Sequence, residues 1–285
     1  GNHTFKIRAE DNVGNMNPAP ASFSWTIDTI PPETSILSAI DGNESIVTTG
    51  QNTSSNLISF EFSGNDTGGV GIDHLECSLD GTSFSSCTSP VQFTSANITD
   101  GTHTFEVLSV DNSTNKDPSP ASFTWTVDTI APTTIINSAI DGNNSTITNS
   151  SSTKSNAVMF EFSGNDTGGV GIDHLECSLD GTSFSSCTSP VQFTSANLLD
   201  GTHSFMVIAQ DKVGNMMTTP VLFNWTVDTL PPTTAINTAI DGNNGTLVSG
   251  NSTMSTSMSF TFSGNDRGLE NNGVGIKQIE CSIDN

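Results

Sequence analysis

The sequence has no tyrosine, only 3 tryptophans, and only 7 Lys and Arg in 285 residues. Against 30 Asp and Glu this leaves a net charge of −23. So few cations cannot neutralise a run of phosphates, which argues against nucleic acid as a partner. The same charge is repelled by anionic membrane surfaces. No apolar run approaches the roughly 20 residues of a membrane-spanning helix, so no membrane span is expected in this segment. There is no initiator Met and no signal-like stretch, and Gly1 reads as the start of a mature or visible fragment. Hydrophobic residues make up only 33% of the chain, yet they are spaced regularly rather than missing in blocks, which argues against disorder.

What is there is a repeat. Trp25, Trp125 and Trp225 sit in equivalent Trp-Thr-aliphatic-Asp segments, each leading to Pro-Pro or Ala-Pro. Ala-Ile-Asp-Gly-Asn begins at Ala39, Ala139 and Ala239, and residues 60–97 are identical to 160–197. The third copy carries four extra residues between Ser263 and Gly275. A unit of about 100 residues has the size of a β-sandwich domain. The prolines near 31–32 fix φ and withhold N–H donors, so Asp28-Thr29-Ile30-Pro31-Pro32 reads as a stiff linker. The expected frame is the C-terminal part of a unit at 1–30, full units at 31–130 and 131–230, and the N-terminal part of a unit at 231–285. Such a chain reads as a window on a longer array, or as one whose two end pieces complement each other between neighbouring subunits.

Period-2 alternation is strong. Ile58, Phe60 and Phe62 alternate with Ser59, Glu61 and Ser63, and Phe23, Trp25 and Ile27 alternate with Ser24, Thr26 and Asp28. In the unit 31–130, strands are expected near 33–38, 57–63, 73–79, 84–87, 90–94, 103–110 and 121–128. About seven strands with one apolar face each define an all-β fold of tandem sandwich domains.

The run Glu76-Cys77-Ser78-Leu79-Asp80-Gly81 through Cys87-Thr88-Ser89-Pro90, then Asp100-Gly101-Thr102-His103-Thr104-Phe105 and Trp125-Thr126-Val127-Asp128-Thr129, resembles the tandem immunoglobulin-like repeats of large prokaryotic surface proteins, adhesin stalks and archaeal extracellular repeat proteins. The resemblance covers essentially the whole chain. It implies an extracellular Ig-like or fibronectin-type-III-like sandwich, head-to-tail arrays, and in some members calcium at the domain joints. Unlike antibody domains, the Trp lies on the last strand, and the two Cys are too close in sequence to tie two sheets together.

Cys77 and Cys87, and Cys177 and Cys187, recur at one spacing, and Cys281 repeats the first position. Paired use of this kind reads as one disulfide per unit. Zinc lacks four ligands at suitable spacing. A three-residue loop at 81–83 would set Cys77 opposite Cys87, whereas a two-residue Asp80-Gly81 turn would set Phe84 there. The disulfide therefore predicts the longer loop or a bulge.

Asn-X-Ser/Thr occurs at Asn2, Asn43, Asn52, Asn65, Asn97, Asn112, Asn143, Asn144, Asn149, Asn165, Asn224, Asn244 and Asn251. In a chain so rich in Asn, Ser and Thr, composition accounts for many of these. The functional reading is N-linked glycosylation of exposed loops and strand faces.

Sandwich topology gathers acidic loops at each joint. Asp128 is expected to meet Asn165, Asp166, Asp173 and Asp211, and one unit earlier Asp28 to meet Asp66, Asp73 and Asp111. Ca²⁺ takes six to eight oxygens, several of them carboxylate, and such a set supplies them. The competing reading is that these side chains cap tight turns. No cofactor is required, and calcium is the one considered.

The Asp-His pairs at 73–74 and 173–174 become Lys277-Gln278 in the third copy, so no chemistry common to every unit can use them. The histidines are assigned to the surface, and neither catalytic residues nor enzymatic activity are expected. The expected function is that of structural spacer repeats of an extracellular surface filament, adhesin stalk or surface layer, able to polymerise head to tail. The partners are then other copies of the chain or other surface proteins. The alternative is a calcium-dependent adhesion or glycan-binding module of a secreted protein. The absence of Tyr and the inward side expected for each Trp disfavour a sugar-stacking platform.

Overall fold

The computed structural model describes residues 1–266 and 273–283. Most of the insertion in the third copy, 267–272, lies outside the described residues. Two compact units are distinguished. The first is Gly1–Ile130 with Gly168–Val170 and Val213–Asn215; the second is Ala131–Thr167, Gly171–Lys212 and Met216–Asn285. Among the described residues every regular element is a strand, and no helix is long and apolar enough to cross a membrane.

The first unit holds β1 (Asn2–Ile7), β2 (Ala21–Thr26), β3 (Glu33–Asp41), β4 (Asn52–Thr53), β5 (Ile58–Asn65), β6 (Ile72–Leu79), β7 (Ser85–Cys87), β8 (Val91–Phe93), β9 (Gly101–Asp111) and β10 (Ala121–Val127). The second holds β11 (Thr133–Asp141), β12 (Ser151–Thr153), β13 (Val158–Asn165), β14 (Ile172–Leu179), β15 (Ser185–Cys187), β16 (Val191–Phe193), β17 (Gly201–Asp211), β18 (Val221–Val227), β19 (Thr233–Asp241) and β20 (Met258–Asn265).

Strands β3 to β10 form a sandwich of two sheets. One is antiparallel in the order β3-β5-β8; the other runs β4-β10-β9-β6-β7, with β4 parallel to β10. The second unit repeats this as β11-β13-β16 and β12-β18-β17-β14-β15. Each sandwich thus has eight strands. The unforeseen one is the two- or three-residue parallel edge at Asn52–Thr53 and Ser151–Thr153, too short and too polar to show an alternation.

The alternation seen in sequence becomes the core. Phe60, Phe105, Trp125 and Val107 turn inward and are buried, while Glu61 and Thr124 face out. Phe60 stacks on Phe105 with ring centroids 4.5 Å apart, and meets Phe123 at 5.2 Å and Trp125 at 5.3 Å. Phe160, Phe205, Phe223 and Trp225 repeat the arrangement. Burying one such ring stabilises by about 1.5–3 kcal/mol. The same strands appear without covering at both ends of the chain. The β1–β2 hairpin leaves Phe5 and Phe23 exposed, and the β19–β20 pair leaves Phe260 and Phe262 exposed.

Candidate functional site

Asp28 follows β2, Asp66 follows β5, and Asp111 ends β9. Each offers a carboxylate oxygen, and these atoms lie within 4.8 Å of one another. Asp28 Oδ2 accepts from the Val70 N–H at 2.8 Å and Oδ1 from the Ile30 N–H at 3.1 Å. Asp66 Oδ2 accepts from the Gly71 N–H at 2.7 Å, whereas its Oδ1 is buried with no hydrogen-bond partner among the described residues. A Cβ at Gly69 would lie 2.2 Å from Asp66 Oδ1, so a side chain there would push this carboxylate out of its place.

Asp111 is buried. Burial opposes its charge, but the Asn115 side chain and the N–H groups of Asn115 and Ser113 outweigh that and hold the carboxyl below its ordinary value. Among the described residues, none of the three carboxylates makes an ion pair with a basic group. Three like charges so close repel unless a cation intervenes. An oxygen set with one orphaned, buried carboxylate oxygen fits a hard divalent cation.

The expected fourth member, Asp73, is not part of this set. It lies on the outward side of β6, exposed, with its carboxylate 2.7 Å from His74 Nδ1. A bulge explains this: the register slips between Ile72 and His74, so the alternation that turns Leu75 and Cys77 into the core does not carry back to Asp73. Asp173 is placed likewise, 2.7 Å from His174 Nδ1. One period after the first cluster stand Asp128, in the first unit, and Asp166 and Asp211, in the second. Asp166 Oδ2 accepts from the Gly171 N–H at 2.6 Å, as Asp66 does from Gly71. A third linker carboxylate, Asp228, accepts from the Val274 N–H at 3.0 Å. Sequence reading missed Asn115, whose Nδ2 donates to both the Asp28 carbonyl at 3.2 Å and Asp111 Oδ2 at 2.7 Å. Its signal was the recurrence of Asn15, Asn115 and Asn215 four residues after an Asp.

Disulfides join Cys77 to Cys87 and Cys177 to Cys187, each with Cα atoms 5.8 Å apart and within one sheet. The register corrects the expected pairing. Cys77 lies opposite Ser85 and Cys87 opposite Leu75, so the bridge runs diagonally across β6 and β7. The turn is the two-residue kind, with φ of 52° at Asp80 and 72° at Gly81, as a type I′ hairpin demands. The Thr82 N–H reaches the Leu79 carbonyl at 3.1 Å, and one residue bulges before β7. Cys281 is a free, exposed thiol.

Twelve of the sequon asparagines are exposed; Asn224, on β18, is half-buried. Asn112 is already engaged, its Nδ2 donating to the carbonyls of Val70 at 3.1 Å and Gly71 at 3.0 Å.

The surface assignment fails for two histidines. His103 and His203 are buried, 5.4 Å from Trp125 and Trp225. His103 Nε2 faces the Thr99 carbonyl at 2.7 Å and Nδ1 faces Asp80 Oδ2 at 2.8 Å. A carbonyl only accepts, so Nε2 donates to Thr99. These histidines brace the hairpin turn against β9.

Each unit therefore contains a two-sheet sandwich, and in the first unit an acidic cluster lies where the chain leaves β2 and enters the sandwich. Residues 188–261 match the family described as "Bacterial Ig-like domain (group 3)". Among curated proteins none matches the chain. Solved structures include the fibronectin(III)-like modules of Clostridium thermocellum CbhA, at 17% identity and TM-score 0.33 over 68% of this chain and 94% of that one. A Ca2+-stabilized adhesin of an ice-binding Antarctic bacterium is similar at 19% identity and TM-score 0.35, over 80% of this chain and 57% of the other. A 1.5-MDa bacterial ice-binding adhesin gives 17% and 0.36, over 79% and 73%.

Proposed function

We propose that the chain is a run of structural spacer repeats, framed as full domains at 31–130 and 131–230 between partial ones at 1–30 and 231–285, from an extracellular filament, adhesin stalk or surface layer. The observation that carries this reading is the repetition itself: 38 consecutive residues, 60–97, recur unchanged at 160–197. A spacer needs the same unit again, whereas a binding head needs a distinct one. Support comes from the disulfides, which persist in oxidising surroundings, and from complete sandwiches whose Phe and Trp rings are inside, leaving no aromatic platform for a sugar. On this reading the exposed sequons carry N-linked glycans. Electron micrographs of native material test it: a fibre, stalk or layer is expected, and isolated compact particles would overturn it.

The joint between β2 and β3 is proposed to hold Ca²⁺, with Asp28, Asp66 and Asp111 as ligands. The ion would neutralise the carboxylates and stiffen the linker by binding both sides of it. Ligand binding to the folded state alone stabilises by about 2.7 kcal/mol at a hundred times Kd. The melting temperature should rise on adding Ca²⁺ and fall back with EGTA, and Asp66→Asn should blunt the rise. An unchanged melting temperature would remove the metal from the proposal.

A further inference from the structure

Asn112 opens the sequon Asn112-Ser113-Thr114 and is exposed, so sequence and exposure alone would make it a glycan acceptor. Its amide is already committed. Nδ2 donates to the Val70 carbonyl at 3.1 Å and to the Gly71 carbonyl at 3.0 Å, and the Asn112 N–H donates to the Gly71 carbonyl at 3.0 Å. A carbonyl only accepts, so the amide must turn its nitrogen toward this loop. The same two loop residues turn their own N–H groups to the acidic cluster, Val70 to Asp28 Oδ2 at 2.8 Å and Gly71 to Asp66 Oδ2 at 2.7 Å. We propose that Asn112 is a positioning residue of the calcium site, and that a glycan on its sequon and an ordered site exclude one another. The proposal rests on the calcium reading above and names the residue through which modification acts on that site.

The link between amide and carboxylate is one peptide group. The Val70 carbonyl and the Gly71 N–H lie in a single plane and point to opposite sides of it, so holding the oxygen aims the hydrogen at Asp66. N-linked attachment replaces one Nδ2 hydrogen with a sugar carbon. One N–H would then remain for two carbonyls. The sugar would also enter where the loop backbone lies against the amide, since a Cβ on Gly71 would stand 3.6 Å from Nδ2. Once the loop is released, Asp28 and Asp66 lose the donors that hold them in place against their mutual repulsion. Groups that orient metal ligands in this way are worth about ten- to a hundredfold in affinity.

The repeat supports a donor at this place rather than an acceptor of sugar. In the second unit the residue equivalent to Asn112 is Lys212, which cannot take an N-linked glycan. Its N–H donates to the Gly171 carbonyl at 3.1 Å, and its Nζ lies 3.4 Å from where a Cβ on Gly171 would stand. The Gly171 N–H again serves an aspartate, Asp166. Asn12 holds the same position in the run Asp11 to Asn15 and lies outside any sequon. What recurs is a side chain able to donate to the loop, whereas the sequon occurs once.

The test uses the full chain made without glycosylation. Without Ca²⁺, Asn112→Ala should speed hydrogen exchange at the Val70 and Gly71 amides by about tenfold or more. It should raise the Kd for Ca²⁺ by about tenfold or more, while the melting temperature in EGTA stays close to that of the unaltered chain. Asn112→Lys, which installs the second unit's residue, should keep both amides protected. In native material, mass spectrometry of the peptide spanning Asn112 should find it bare. Unchanged exchange at both amides in Asn112→Ala, or a native glycan on Asn112, would overturn the proposal. An unaltered chain that binds no Ca²⁺ would remove the ion from the joint, and amide exchange measured without Ca²⁺ would still decide whether Asn112 positions the carboxylates.

Discussion

The Asp73–His74 pair was read as a metal ligand beside a surface histidine, and its geometry assigns it a different role. Asp73 holds the His74 ring above its ordinary value of 6.5, chiefly through the Nδ1 hydrogen bond, with burial opposing and Glu76 adding to it. A histidine raised in this way stabilises the fold fully below pH 6.5 and ceases to do so as pH rises through its folded value. NMR titration should place the His74 midpoint above 6.5, and Asp73→Asn should bring it down. A midpoint indifferent to that substitution would count against the pairing. Which aspartates lie near one another in sequence was legible. Which converge was not, because a bulge between Ile72 and His74 breaks the alternation on which sequence reasoning relies.

Among the elements, the β6–β7 hairpin shows how far spacing reasoning reaches. The pairing of Cys77 with Cys87 was readable from recurrence alone. Its diagonal course was not, because one bulged residue shifts the register between the Asp80-Gly81 turn and β7. Closing so short a loop stabilises by about 3 kcal/mol in the chain-entropy model. Cys77→Ser with Cys87→Ser should lower the unfolding free energy of that sandwich by about this much. Denaturant melts would check it, and a loss near zero would show that the hairpin is held by its ladder and turn alone. The parallel edges at Asn52–Thr53 and Ser151–Thr153 were illegible for a related reason. What holds β4 is backbone pairing to Thr126 and Val127 together with a buried hydrogen bond from Thr53 Oγ1 to Asp41 Oδ2 at 2.5 Å, not an apolar pattern.

Over the whole molecule the charge of −23 is carried by structured carboxylates as well as free ones. Burial works against Asp141, but hydrogen bonds from the Thr153 hydroxyl and the Ser145 and Asn143 N–H groups prevail and hold it below its ordinary value of 3.8. Hydrogen bonding lowers Asp241 in the same manner, led by Thr253. A carboxyl depressed in the folded state contributes stability above its ordinary value and loses it as pH falls through the folded one. The melting temperature should therefore hold from neutrality to about pH 4 and fall below it. Thr153→Val should weaken the acid-sensitive part, and the same acid limb in that variant would speak against Asp141 as a contributor.

The sequence by itself determined the period, the all-β sandwich, the inward aromatic face and the cysteine partners. All of these follow from local alternation and from recurrence at 100 residues. Only the tertiary structure decided that Asp28, Asp66 and Asp111 converge without Asp73, that His103 is braced between a carboxylate and a carbonyl, and that the end strands keep register while their apolar faces stay open. These features depend on which loops share an end of the sandwich and on single-residue bulges. Both are set by closing two sheets around one core, and no local pattern encodes them.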